Sequence, residues 1–559
     1  MPTQPSRVLL LLSLLSATAW ADGATPGAMA LVDLAFSRFT EPGLPGCAVG
    51  VSQGGKTLLE RAYGQANLEH DLPNTPATVF EAGSVSKQFT AAAVLLLAQD
   101  GKLSLDDPAR RYVPELPDYG TPITLRHLMQ HTSGLRDWGT VVDAAGWPRG
   151  TRIHTHAHVL DVVSRQKALN FPPGTEYLYC NTGYNLLAII VARVSGQSFA
   201  DFTRQRLFVP LGMKHTQWRD DFTRVVKGRA TAYELKEERF HSDMPFEDVH
   251  GNGGLLTTVG DLLRWNEALA AGKVGGPGFV RELQRQGKLT SGRQLEYASG
   301  IVMTSYRGLP EVSHAGATAG YRAFLARYPR QQLSVALLCN HGEVNSVKLA
   351  HAVADIFLAG QVPPVPTPGT ATLAAQVLSA RAGLYRNTRT GEPLELRVRE
   401  GRLELEDGTP LTPSSEVLFR VGEGAAQLAF DLGKGGRPTA MQLRTPDGDS
   451  VPFVPVVPAR VDAAGLAGYA GTYVSQEAEV SYAVAAEGDT LVLRRRPADV
   501  FTLVPKYADV FLAPELGLVR FTRDASGRVD GLSLFMGRVR DLRFAREASA
   551  PVPTAVDRK

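Results

Sequence analysis

Cysteine is nearly absent: three residues in 559, at positions 47, 180 and 339. An odd, widely spread set argues against a disulfide framework. Cys47 and Cys339 lie in apolar strand-like runs, Cys47-Ala48-Val49-Gly50-Val51 and Leu333–Cys339, which favours buried free thiols. An excess of one charge is also missing. With 59 Lys and Arg against 56 Asp and Glu the net charge is only +3, too little for the basic field of a nucleic-acid-binding chain. Arg494-Arg495-Arg496 is an isolated cluster that reads as a solvated strand edge. Long hydrophobic runs are lacking too. The run Val8–Leu15 is too short for a good membrane span; with Arg7 before it and Ala19-Trp20-Ala21 after it, it reads as an export signal over residues 1–21. The expected mature chain begins near Asp22, in the periplasm or outside the cell. It has no cysteine for lipid attachment there and no stable span once the signal is removed.

What is present is length and apolar content. A chain of 559 residues with 44% hydrophobic residues should hold more than one domain, each with a full core. Strand-like runs at 46–67 and 321–340 bracket a helical middle, and 347–358 is apolar at helical spacing, giving a first domain over 22–360. Residues 361–375 carry a proline-rich linker, after which short alternating strands dominate. This tail reads as a duplication. Gly383-Leu384-Tyr385 corresponds to Gly471-Thr472-Tyr473, Arg402–Leu405 to Thr490–Leu493, and Leu411-Thr412-Pro413 to Leu503-Val504-Pro505. Each unit closes in paired strands, 440–453 and 531–544. Two small all-β domains, barrels or sandwiches, are expected at 376–457 and 458–547, then a disordered tail at 548–559.

Ser84-Val85-Ser86-Lys87 stands where a β-branched run ending in Gly83 gives way to an apolar stretch, Gln88–Gln99. A helix starting near Ser84 would place Ser84 and Lys87 on one face, within reach of each other. It would also aim free N–H groups at a reacting oxyanion. Ser164-Arg165-Gln166-Lys167 has the same spacing inside a polar stretch and reads as a surface helix. A Pro173-Gly174 turn delivers Tyr179-Cys180-Asn181 ahead of an apolar stretch, placing a phenol and an amide at a pocket wall. His314-Ala315-Gly316-Ala317 precedes a strand and lets backbone approach a ligand closely. Tyr385-Arg386-Asn387 repeats the tyrosine-asparagine spacing far downstream, without that context.

In this order the three elements resemble the active-site-serine penicillin-recognising family, in the branch of class C β-lactamases, DD-peptidases, D-aminopeptidases and esterases. Residues 123–135, Pro210-Leu211-Gly212-Met213 and Gly253–Thr258 are similar to further family signatures, and the likeness spans about 30–358. It implies an α/β (α+β) β-lactamase/transpeptidase-like domain: an antiparallel sheet with flanking helices and a helical cluster across the pocket. It further implies that Ser84 attacks a carbonyl, Lys87 activates it and Tyr179 exchanges protons. Asn181 would orient the substrate amide, the Ser84 and Ala317 N–H groups would form the oxyanion hole, His314 would stand beside the leaving-group side, and Gly316 would be a further substrate-binding position. Whether Lys87 or Tyr179 is the base stays open. Two residues depart from the family pattern. His314 replaces a lysine, so a fixed positive charge for a substrate carboxylate is lost and efficient β-lactam hydrolysis is disfavoured. Cys180 stands where serine is common and reads as a small buried thiol.

The expected activity is an exported serine hydrolase forming an acyl-enzyme on Ser84, with D-amino-acid peptides or small esters as substrates. It needs no cofactor or metal, and its partners are small-molecule or peptide substrates rather than nucleic acid. A weakly active penicillin-binding or cell-wall-binding protein is the alternative. A zinc hydrolase is more distant: His154, His156 and His158 would share a strand face but have no acidic partner. Loops at 136–170 and 216–250 are expected to set the substrate. Family D-aminopeptidases also carry two β-domains, and there a loop can reach the active site; a passive spacer is the equal alternative here. The sequence leaves oligomeric state open.

Overall fold

The structure is a computed structural model that describes residues 24–362, 369–446 and 448–547. The expected signal, part of the proline-rich linker and the expected tail lie outside the described residues.

The catalytic part is built on a six-stranded antiparallel sheet. Its strands are β1 (Cys47–Gln53), β2 (Lys56–Tyr63), β3 (Val302–Tyr306), β4 (Leu309–Thr318), β5 (Tyr321–Tyr328) and β6 (Leu333–Cys339), in the order β3-β4-β5-β6-β1-β2. β1 and β6 are central and buried along almost their whole length, which explains why they read as continuous apolar runs rather than alternating ones. One face packs on α1 (Pro26–Ala35) and the helix Ser346–Phe357; the other carries Val259–Ala270 and the helical cluster. Two helices of that cluster, α2 (Lys87–Gln99) and α3 (Asn181–Ser195), pack on each other and are buried all round their first three turns. The strand register places Cys47 directly opposite Cys339, and the two form a disulfide. The expectation of free thiols is thereby corrected. Two buried runs say nothing about register, and only pairing at this one position brings the sulfurs together.

After the helix Ala375–Arg381 the chain forms two closed eight-stranded antiparallel barrels, over Gly383–Val456 and Gly471–Arg546. The duplication read from sequence holds strand by strand. The matched segments fall on the first, third, fourth and last two strands of each barrel. In both, the first-strand tyrosine donates to the carbonyl four residues earlier: Tyr385 to Arg381 at 2.8 Å and Tyr473 to Tyr469 at 2.7 Å. Closure leaves neither sheet with a free edge.

The barrels differ in what they pack against. The first has an apolar cluster of its own, whereas the core of the second is continuous with that of the catalytic helices. Arg495 marks this contact. Far from lying on a solvated edge, it is buried, donates to the Ala144 carbonyl at 3.1 Å and pairs with Asp499. Tyr482 donates to the same carbonyl at 2.7 Å. Arg494 and Arg496 are exposed, as the sequence predicts, Arg494 beside Glu487.

Candidate active site

The serine turn begins at the short strand Phe80–Glu81, which pairs with Leu255–Thr257. Glu81 fixes it through a buried, two-pronged pair with Arg219 at 2.9 and 3.1 Å. Gly83, with φ +50°, then turns the chain into one 3-10 turn, Gly83–Ser86, and α2 starts at Lys87 rather than at Ser84. The tighter winding keeps residues three apart on one face, so the predicted pairing survives. Against this turn lies β4. A Cβ on Gly316 would stand 2.1 Å from the Ala82 carbonyl oxygen and 3.1 Å from Ser84 N; one on Gly83 would stand 2.6 Å from Ala317 N. Only glycine at both positions lets the two N–H-bearing segments meet.

Lys87 is fully buried, and its Nζ has three neighbours: Ser84 Oγ at 3.1 Å, Asn181 Oδ1 at 3.0 Å and the Asn252 carbonyl at 2.6 Å. Burial, reinforced by the Arg538 charge, pushes the amine well below the ordinary lysine value. A neutral amine has two N–H bonds and one lone pair. Asn181 Oδ1 and the Asn252 carbonyl can only accept, so they take the two hydrogens and leave the lone pair for the Ser84 hydroxyl.

Residues 123–135 position the second motif. His131 adopts φ +57°, its carbonyl accepts from Leu178 N–H at 3.0 Å, and its Nδ1 accepts from Cys180 N–H at 3.1 Å. Asp137 caps two helices at once. Its Oδ2 accepts from Asn181 N–H at 2.7 Å, and its Oδ1 from Gly139 and Thr140 N–H at 3.1 and 3.3 Å. Tyr179 therefore presents its ring to Lys87 Nζ, 4.7 Å from the ring centre. Its hydroxyl is buried without a hydrogen bond of regular geometry, although Ser84 is close enough to stabilise its anion. Burial nonetheless holds the phenol above its ordinary value. Cys180 is buried, and burial pushes its thiol up to about 12, consistent with an inert residue.

On β4, His314 places Nδ1 2.6 Å from the Ala315 carbonyl and Nε2 3.0 Å from the Tyr297 hydroxyl. A carbonyl only accepts, so Nδ1 carries the hydrogen and Nε2 accepts from Tyr297. Burial and the nearby Lys87 push the imidazole down to about 4, leaving it neutral at physiological pH. Ser84, Tyr179, Asn181, His314, Gly316 and Ala317 line one cavity of about 560 Å³, with Lys87 directly behind the serine. The structure thus brings together all seven residues singled out from sequence.

Sequence reasoning missed four others. Asn252 acts through its backbone carbonyl, which no residue type announces. Tyr297 carries no local motif. Arg149 lines the cavity but is paired with Glu247, Nε to Oε2 at 2.8 Å. Arg538 comes from the second barrel, on the turn between strands Val529–Met536 and Val539–Arg546. Its guanidinium lies 4.8 Å from the Tyr179 ring centre and 3.7 Å from Asp137 Oδ2. Its carbonyl accepts from Asp137 N–H at 3.4 Å and Asn170 Nδ2 at 3.0 Å. Buried Arg136 grips the same hairpin, donating to the carbonyls of Arg540 and Asp541 at 3.0 Å and pairing with Glu477 at 2.5 Å. The second barrel is therefore no detached spacer.

Other expectations divide. Ser164 and Lys167 are exposed at the end of the helix His156–Arg165, as the polar pattern predicts. The three histidines do not share a strand face. His156 starts that helix and its Nε2 lies 3.0 Å from the His250 carbonyl, His158 closes a capping box with Thr155, and His154 packs edge-on to Trp138. Among the described residues no group of three or more His, Cys, Asp or Glu side chains could hold a metal ion. Residues 216–250 supply support, through Arg219 and Glu247, but none lines the cavity.

The family profile described as Beta-lactamase matches residues 32–360, more than half of the sequence. The chain belongs to the β-lactamase family. It is 27% identical to a D-aminopeptidase of Brucella ovis over 528 residues, covering 90% of this chain and 96% of that one. It is 28% identical to Penicillin-binding protein 4* of Bacillus subtilis, covering 68% and 89%. In fold, a penicillin-binding protein homologue of Pyrococcus abyssi, described as octameric, superposes with a TM-score of 0.55 at 22% identity, covering 77% of this chain and 99% of that one. The D-amino acid amidase of Ochrobactrum anthropi does so at 0.50 and 21%, covering 59% and 99%. Among the described residues no single helix is long and apolar enough to cross a membrane.

Proposed function

We propose that this chain is an exported serine hydrolase that forms an acyl-enzyme on Ser84 and cleaves amide or ester bonds of D-amino-acid peptides or small esters. The observation that carries this reading is the three-way environment of Lys87 Nζ, which leaves a lone pair aimed at Ser84 Oγ. Lys87 is assigned as the base, because burial pushes its amine well below the ordinary lysine value while burial holds the Tyr179 phenol above its own. Tyr179, against Ser84, passes a proton to the leaving group. The oxyanion is held by the N–H groups of Ser84 and Ala317, and Asn181 orients the acyl amide. The names of the Brucella and Bacillus relatives support the substrate class. Export is supported by the signal-like residues 1–21 and by the disulfide between β1 and β6, a bond that persists in oxidising compartments.

Replacing Ser84 by alanine should lower turnover of p-nitrophenyl esters and D-alanine anilides by roughly a thousandfold or more while leaving the fold intact. Fluorophosphonate labelling should vanish with it. Activity retained by that variant would refute the assignment. The neutral state of His314 provides no cation for the carboxylate of a β-lactam, so nitrocefin should be a poor substrate relative to the anilides. The alternative, a penicillin-binding protein that turns over slowly, would instead show stoichiometric penicillin labelling of Ser84 with little anilide release.

A further inference from the structure

The cavity in front of Ser84 is lined by three arginines, Arg149, Arg322 and Arg538, and by no carboxylate. Their charges are not equivalent. Arg149 is neutralised by the buried carboxylate of Glu247. Arg322 donates to the Ala319 and Tyr321 carbonyls at 2.6 and 2.8 Å, held along β5. Arg538 has 42% of its side chain exposed and stands over the Tyr179 ring, its nearest carboxylate, Asp137, 3.7 Å away. Asp137 is itself buried and already accepts three backbone N–H bonds at two helix starts. It can neither fully satisfy the guanidinium nor turn outward to greet a substrate cation. A planar fork of donors is thus presented to the cavity on the side where Asn181 stands.

We propose that Arg538 is an anchor for a carboxylate on the acyl half of the substrate, so that anionic acyl groups are cleaved in preference to those beginning with a free ammonium. This rests on the serine-hydrolase reading above and adds the charge class of its substrate. The position follows from the neighbours. Asn181, which orients the acyl amide in that reading, donates its backbone N–H to Asp137, and Asp137 faces Arg538. The anchor is rigid because Asp137 and Asn170 hold the backbone at residue 538, and Asn170 and Arg136 hold it again at residue 540.

The test uses the purified full-length chain and three anilides that differ only at the amino group: N-succinyl-, N-acetyl- and unmodified D-alanine p-nitroanilide. Wild type should favour the succinyl over the acetyl compound by about tenfold in kcat/KM, and the free amine least. Arg538→Ala should bring the succinyl and acetyl values together, and Arg538→Glu should invert the order. Protection of Ser84 from fluorophosphonate by each compound gives the same ranking should turnover be slow. Wild-type preference for the free amine, or a succinyl preference that survives Arg538→Glu, would overturn the proposal. Loss of all labelling and turnover in wild type would instead sink the serine-hydrolase reading and the proposal with it.

Discussion

At the scale of single residues, the site depends as much on what is missing as on what reacts. Gly316 has no side chain because the Ala82 carbonyl oxygen occupies the space where a Cβ would be, 2.1 Å away. Neither backbone can yield without moving Ser84 N, which stands 3.1 Å from the same point. Gly316→Ala should therefore cost about 1–3 kcal/mol of stability from overpacking. A displaced oxyanion donor should lower kcat by roughly a hundredfold. Gly253 offers a control in the same cavity: a Cβ there would meet nothing closer than 3.9 Å. Chemical denaturation of both variants checks the argument, and equal midpoints would show that the close approach is not real in solution. Lys87 teaches a related lesson. Its chemistry was legible as a residue type three positions from a serine, but its protonation state was not. That state is set first by burial and then by the charge of Arg538, and neither is written in the residues next to Lys87.

Among elements, legibility followed the range of the contact. β1, β6, α2 and α3 could be read because burial on all sides leaves an unbroken apolar run. The barrel strands could be read because duplication doubled the signal. The Arg538 hairpin could not, since the residues that seat it, Arg136 and Arg540, are separated by 404 positions. Its sequence is that of an ordinary two-residue turn. The seat is testable by its asymmetry. Arg136→Ala would leave buried Glu477 without its cation and two hairpin carbonyls without donors. A loss of about 3–5 kcal/mol is expected. Because the hairpin loosens, discrimination between succinyl and acetyl anilides should shrink as well. Arg495→Ala undocks the same barrel at the Ala144 carbonyl, on a contact that does not line the cavity. It should lower the melting midpoint while leaving that discrimination in place. If both variants altered selectivity alike, barrel docking as a whole, rather than the seat of the hairpin, would be the controlling contact.

For the molecule as a whole, burial of imidazoles links stability to pH. His127, His131, His154, His156, His250, His314 and His341 are all pushed below their ordinary value, each mainly by burial. A buried neutral histidine binds its proton less readily folded than unfolded, so its contribution is complete above pH 6.5 and is lost as the pH falls toward the folded value. For His314, held at about 4 against 6.5, the loss is about 3 kcal/mol on crossing that window. His250, at about 3, extends the loss to lower pH. His250 is faced by His156, Arg219 and the Asp248 carbonyl, of which only the last favours its protonation. The melting midpoint should therefore fall steadily from pH 7 to pH 4.5, with net proton uptake on unfolding. Replacing His250 by glutamine should make that fall shallower, measured against the variant's own midpoint at pH 7.5. A midpoint that stays level between pH 6.5 and 5 would mean that these imidazoles titrate as freely in the folded protein as in the unfolded chain.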